Sequence, residues 1–143
     1  MATFTFYNLW KEAQLDGNLT DTPIDFDNDT IKLALVTSAY TPAQTHDFFT
    51  DASANEVSGT GYTAGGETVT ITVTESGGTV TVDGSDVTWS QNAGGFSNAR
   101  YAILYKDATT DPLIGYIDFT SDKGNVQGDL TVQWNASGIF TLA

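Results

Sequence analysis

Residues Thr68–Val82, TVTITVTESGGTVTV, decide the reading of this chain. Val69, Ile71 and Val73 alternate with Thr68, Thr70, Thr72 and Thr74. A period of two turns one face of a strand toward a core and the other toward water. Glu75–Gly78 (ESGG) interrupts the alternation with adjacent glycines, which supply the positive φ angles of a tight hairpin turn. Thr79–Val82 is the return strand. Asp83-Gly84 then marks a turn before a strand over Asp86–Trp89, where Val87 and Trp89 share a face.

The same pattern extends in both directions. Upstream, Thr30–Val36 (TIKLALV) places Ile31, Leu33 and Leu35 on one face and Lys32 on the other. Downstream, Ala99–Lys106 and Leu113–Phe119 read as a hairpin joined by the polar loop DATTDP. Asp129–Trp134 and Ile139–Leu142 read as a last pair turning through NASG, with Trp134 on the face of Leu130 and Val132. Turns at this spacing predict an all-β, single-domain sandwich over residues 1–143, jelly-roll-like, with about eight strands. Residues 1–29 form an N-terminal extension carrying one short helix. Asn8 caps that helix, Leu9, Trp10 and Ala13 form its apolar stripe, and Gly17 ends it. A helix so short holds only if it packs on the sheet. Thr37–Gly66 is the long irregular stretch, with room for a short strand at Glu56–Ser58.

Composition narrows function. With 143 residues and hydrophobic side chains at 40%, the chain suits one folded domain. Five Lys plus Arg against 18 Asp plus Glu give a net charge of -13, which repels phosphate backbones and anionic lipid heads; no nucleic-acid or membrane partner is expected. The absence of Cys excludes disulfides, thiolate metal sites and Cys nucleophiles, and one His, His46, excludes a site built on several imidazoles. The opening MATFTFYNLWKEAQLDG lacks the pattern of a secretory signal, so synthesis without export is expected, and the N-x-S/T triplets at Asn18, Asn28 and Asn135 then carry no glycan.

Few residues suggest chemistry. No G-x-S-x-G, P-loop or HExxH motif occurs. His46 and Asp47 are neighbours on an extended segment and point apart, which favours a surface histidine over a catalytic pair. Asp25, Asp27 and Asp29 in DFDNDT start like a calcium loop, but Thr30 stands at its sixth position and Val36 at its twelfth. The reading is a solvated turn, with a weak surface calcium site as the alternative. Trp89 and Trp134 fall on core faces, against use as sugar-stacking platforms. No cofactor and no catalytic residue is nominated.

The hairpin Ala99–Phe119 is apolar on both faces. Tyr101, Ile103 and Tyr105 oppose Ala102 and Leu104, and Leu113, Ile117 and Phe119 oppose Ile114 and Tyr116. Such a sheet needs a second cover, either the short helix or another subunit.

Five blocks carry a family resemblance: YNLWKEAQLDGNLTDTPIDFDNDTIKLALVTSAYTP, THDFFTDASANEVSGTGYTAGG, ARYAILYKD, PLIGYIDF and QWNASGIFTLA. Across nearly its whole length the chain resembles a family of small tailed-bacteriophage virion proteins, with His46–Gly66 the most specific block. Trp10 stands where the family pattern has Phe. The resemblance implies a non-enzymatic capsid decoration (cement) protein, often trimeric, bound at capsomer junctions. The expected partners are the major capsid protein and two further copies of the chain, and the expected location is the capsid exterior after synthesis in the host bacterial cytoplasm. Expected contacts are Phe4, Phe6, Phe48, Phe49 and Tyr62 toward the capsid, and Tyr101, Tyr105 and Tyr116 on the two-sided hairpin. Phe48 and Phe49 have a second reading, as plugs for an open end of the sandwich. Alternative functions are a tail or baseplate component and a carbohydrate-binding module.

Overall fold

The computed structural model describes residues 3–16 and 24–143. Along the chain run β1 (Phe4–Phe6), α1 (Asn8–Asp16), β2 (Ile31–Val36), β3 (Glu67–Val69), β4 (Ile71–Ser76), β5 (Thr79–Gly84), β6 (Val87–Trp89), β7 (Ala99–Lys106), β8 (Leu113–Lys123), β9 (Leu130–Val132) and β10 (Phe140–Leu142). They pair antiparallel into a five-stranded sheet of order β1-β8-β7-β2-β3, a three-stranded sheet β10-β5-β4, and the pair β6-β9. The fold is all-β and sandwich-like, with α1 the single α-helix among the described residues.

The main core lies between the large sheet and the two smaller ones. Ile31, Leu33, Leu35, Val69, Ala102, Leu104, Ile114 and Ile117 meet Val87, Trp89, Val132 and Trp134 there. The alternation in Thr68–Thr74 holds, but the segment is two strands rather than one. Thr70 is the corner at which the chain leaves the large sheet for the small one, and its N–H and C=O bond to the Ser85 hydroxyl and the Ser85 N–H. The following turn leaves Ser76 opposite Thr79, with φ of 60° at Gly77 and 85° at Gly78. Positive φ at both central residues is the hairpin geometry that matches strand twist.

Three expectations need correction. The C-terminal strands do not pair with each other: β9 joins β6 and β10 joins β5, so the NASG turn carries the chain between sheets. The apolar faces of β8 are also phased differently. Leu104 pairs with Gly115 and Tyr105 with Leu113, leaving Ile114 as the extra residue of a bulge. The bulge puts Ile114 with Ile117 in the main core, and Leu113 with Tyr116 on the opposite face. Lastly, within the chain the second cover of the hairpin is a loop rather than α1. It is the loop between β2 and β3, which lays Tyr40, Phe49 and Ala52 on Ala34, Val36, Ile103, Tyr105 and Leu113.

The N-terminal segment belongs to the sheet. Strand β1 forms its outer edge, pairing Phe4 with Ile117 and Phe6 with Gly115. Helix α1 starts at Asn8, whose N–H bonds the Gln44 carbonyl at 2.8 Å. Trp10 stacks on Phe6 at 4.5 Å and meets Phe140 edge-on at 5.3 Å, the tertiary packing that so short a helix requires. Gly17, expected to end the helix, lies outside the described residues.

Candidate functional site

The block with the most specific resemblance, His46–Gly66, lies within the loop that covers the back of the large sheet. Two 3-10 turns, Phe49–Asp51 and Ser53–Asn55, shape it. Backbone bonds fasten it at both sides: Val57 N–H to the Leu35 carbonyl (3.0 Å), Thr37 N–H to the Asn55 carbonyl (2.9 Å), Phe49 N–H to the Asp111 carbonyl (2.9 Å) and Leu113 N–H to the Asp47 carbonyl (3.0 Å). The segment expected as a strand at Glu56–Ser58 makes one bridge, Val36 to Glu56.

Three side-chain clamps hold this cover. Under its near end, the Tyr7 and Tyr40 hydroxyls lie 3.0 Å apart and Tyr40 Oη lies 2.8 Å from His46 Nδ1. Ala43 N–H also points at Nδ1 (3.4 Å), so Nδ1 is the acceptor, Tyr40 donates to it, and Tyr7 donates to Tyr40. Burial, reinforced by the bond to Tyr40, pushes the Tyr7 phenol well above the ordinary tyrosine range. In the middle, Phe49 stacks on Tyr105 with ring centroids 4.2 Å apart. At the far end, Glu56 Oε1 accepts from the Tyr62 hydroxyl (2.6 Å) and Gly65 N–H (2.8 Å), while Leu35 N–H donates to Tyr62 (3.0 Å). Tyr105 donates to the Gly65 carbonyl at 2.7 Å. Burial raises the Tyr62 and Tyr105 phenols as well; the Glu56 carboxylate adds to the effect at Tyr62, and Asp111 and Asp107 add to it at Tyr105.

This arrangement fixes where the expected contact residues lie. Phe49 and Tyr105 are buried in the single chain and spend their ring faces on each other. Phe49 thus packs on the back of the large sheet and not at an open end of the sandwich. Tyr62 is half-buried between Trp89 and Phe96. Tyr101 and Tyr116 are half-buried against each other and against Tyr40 and Tyr7. Phe4 and Phe6 both face the main core, where they meet Trp134 and Phe140. Phe48 is half-buried in a bridge to Pro112.

His46 has Tyr40 as its side-chain partner, and the Asp47 backbone N–H bonds Asp51 instead. The Asp25 and Asp29 carboxylates both accept hydrogen bonds within this turn. Asp25 accepts from Asp27 N–H and the Asn28 amide, which hold its carboxyl below the usual range, and Asp29 accepts from Asp25 N–H and pairs with Lys106 at 3.0 Å. Among the described residues no group of three or more His, Cys, Asp or Glu is placed to hold a metal ion. Trp89 and Trp134 are core residues as their parity predicts, the Trp134 indole donating to the Ser85 carbonyl at 3.1 Å.

Two features escaped the sequence reading. Asn125, fully buried, bonds through its side chain to Phe96, Ser90 and Thr60 and so ties three loops together. Leu15 and Leu142, far apart in sequence, line one apolar groove at the α1 end of the sandwich. The signal for Leu15 was present, because it falls off the Leu9–Trp10–Ala13 stripe. Comparison of the chain with protein-family models, with curated proteins and with solved structures finds no match.

Proposed function

We propose that this chain is a non-enzymatic structural protein of a tailed-bacteriophage virion, binding the outer face of the shell formed by the major capsid protein and reinforcing capsomer junctions as a trimer. The observation that carries this reading is the resemblance across nearly the whole chain, concentrated in His46–Gly66. The geometry supports it in one respect: that block is built as a clamped cover, the kind of rigid element a reinforcing protein needs. The charge of -13 supports it in another, because such a surface stays clear of nucleic acid and limits self-association before docking.

The test uses phage particles lacking the protein. Purified chain is expected to bind them saturably, and labelled electron microscopy is expected to place it over the capsid. Label on the tail would replace this reading with the tail or baseplate one. Phe48→Ala is expected to weaken particle binding with unchanged melting, because Phe48 is half-buried while Phe49 is buried.

A further inference from the structure

Among the described residues, Leu15 and Leu142 are the large apolar side chains left exposed, at 92% and 68%. They are not scattered. Both line a groove of about 610 Å³ between α1 and the inner face of the β4–β5–β10 sheet, with Trp10, Phe26, Val80 and Phe140 forming its apolar wall. The groove exists because the β4–β5 hairpin runs past the end of the core. Val80 and Leu142 sit opposite each other beyond Val82 and Phe140, and among the described residues neither belongs to the main core. Its volume is within the roughly 300–1,000 Å³ of ligand pockets, and contiguous exposed apolar surface marks contact sites more often than isolated residues do.

The rim decides what fits. Asp25 and Asp27 line one side, and the Asn28 amide bond keeps Asp25 ionised. Lys11 is the one cation on the lining, and the chain as a whole carries -13. A second copy would bring like charge to this rim and be repelled. We propose that the groove is a docking site for a segment of a partner protein in which apolar side chains are flanked by Lys or Arg. The apolar side chains would cover Leu15 and Leu142, and the cations would face Asp25 and Asp27. The inference concerns a surface and a chemistry, and stands whether or not the partner is a capsid.

The full chain, isotope-labelled for NMR, is titrated with a short synthetic peptide of alternating Leu and Lys. Alternating Leu-Glu and Ser-Lys peptides serve as controls. Saturable shifts are expected at the Trp10 indole and the amides of Leu15, Asp25, Asp27, Phe140 and Leu142, with the Trp89 indole unmoved. Leu15→Ser and Leu142→Ser, both at exposed positions, are each expected to weaken binding about tenfold or more without lowering the melting temperature. Asp25→Asn with Asp27→Asn is expected to flatten the salt dependence. Equal binding of the Leu-Glu or Ser-Lys peptide, shifts spread over the acidic surface, a groove that does not respond, or a mass doubling that accompanies groove shifts would each overturn the proposal.

Discussion

Asn125→Ala should be the most informative single substitution in this fold. The side chain is fully buried, and its Oδ1 accepts from Phe96 N–H at 2.9 Å while Nδ2 donates to the carbonyls of Ser90 (2.9 Å) and Thr60 (3.3 Å). Truncation leaves the backbone bonds of residue 125 in place, to the Phe96 carbonyl and from Asn92 N–H. It orphans the Phe96 N–H, which belongs to a residue only 2% exposed. An unsatisfied buried donor costs about 1–3 kcal/mol. Ser90 and Thr60 are exposed residues whose carbonyls water can reach, so they add about 1 kcal/mol at most. The expected loss is about 3 kcal/mol in urea unfolding followed by tryptophan fluorescence, with an unchanged slope. For this chain length the unfolding entropy is about 0.3 kcal/mol/K, so melting should fall by about 10 °C. Gly95→Ala should mimic the loss, because a Cβ there would lie 1.9 Å from Asn125 Oδ1.

Asn125→Asp separates the hydrogen-bond account from simple packing. It keeps the volume and the acceptor, but sets a buried carboxylate against two carbonyls, so its folded pKa must rise above the ordinary value of about 3.9. A raised pKa contributes stability below the unfolded value and loses it as pH climbs through the folded one. This variant should therefore be weaker than Asn125→Ala at neutral pH and should recover relative to wild type toward about pH 4. A loss under about 1 kcal/mol for the Ala variant, or an Asp variant that follows the wild type at every pH, would falsify the assignment of Asn125 as the tie between these loops.

Further outcomes follow from other clamps. Tyr7, Tyr62 and Tyr105 are held protonated by burial, so their folded pKa values lie above the unfolded value of about 10, and their contribution is intact below that pH and lost above it. Stability should fall by about 4 kcal/mol by about pH 11, with part of the phenolate absorbance appearing only on unfolding. Tyr40→Phe leaves the fully buried Tyr7 hydroxyl without a partner and should cost about 1–3 kcal/mol in urea, whereas Tyr7→Phe combined with it should restore part of the loss. Gly115→Ala would bring a Cβ within 2.3 Å of the Phe4 ring and 2.7 Å of the Thr5 carbonyl, so hydrogen exchange should show β1 losing protection while β7 keeps its own.

How much of this was legible depends on whether the deciding contact was local. The alternation in Thr68–Val82, the two-glycine turn and the faces of β2 and β7 are properties of neighbouring residues, and each appears at its expected register. The split at Thr70 left no mark, because a strand that changes sheets keeps its period of two. The bulge at Ile114 shows why face assignment failed in β8: one extra residue inverts parity, and nothing in LIGYIDF announces it. The wrong pairing of the last two strands had a similar cause, since a turn signal states that the chain bends and not which strand receives it. The cover over the hairpin was missed because its aromatic anchors, Tyr40 and Phe49, lie in an irregular stretch without periodicity. Asn125 was invisible for a related reason: its partners are backbone groups of two distant loops, Thr60 between β2 and β3 and Ser90 and Phe96 between β6 and β7.

The cover changes what an oligomer of this chain would mean. The expectation of a trimer drew part of its force from a hairpin with two apolar faces, one of them in need of a partner. In the folded chain Ala34, Val36 and Ile103 are fully buried beneath the protein's own loop, and Leu113 and Tyr105 are nearly so. No strong apolar demand for association remains on that side. Among the described residues the large apolar side chains left exposed are Leu15 and Leu142, which line a different groove beside carboxylates that repel a like-charged copy. Association in free solution therefore has little to drive it at this charge, and light scattering at ordinary salt should return a mass near the 15.2 kDa of a single chain. A trimer of such a protein would form where a basic or apolar partner surface first gathers and neutralises the copies. A monomer in solution is thus consistent with a decoration role. A stable free trimer would instead mean that the loop over the hairpin can open.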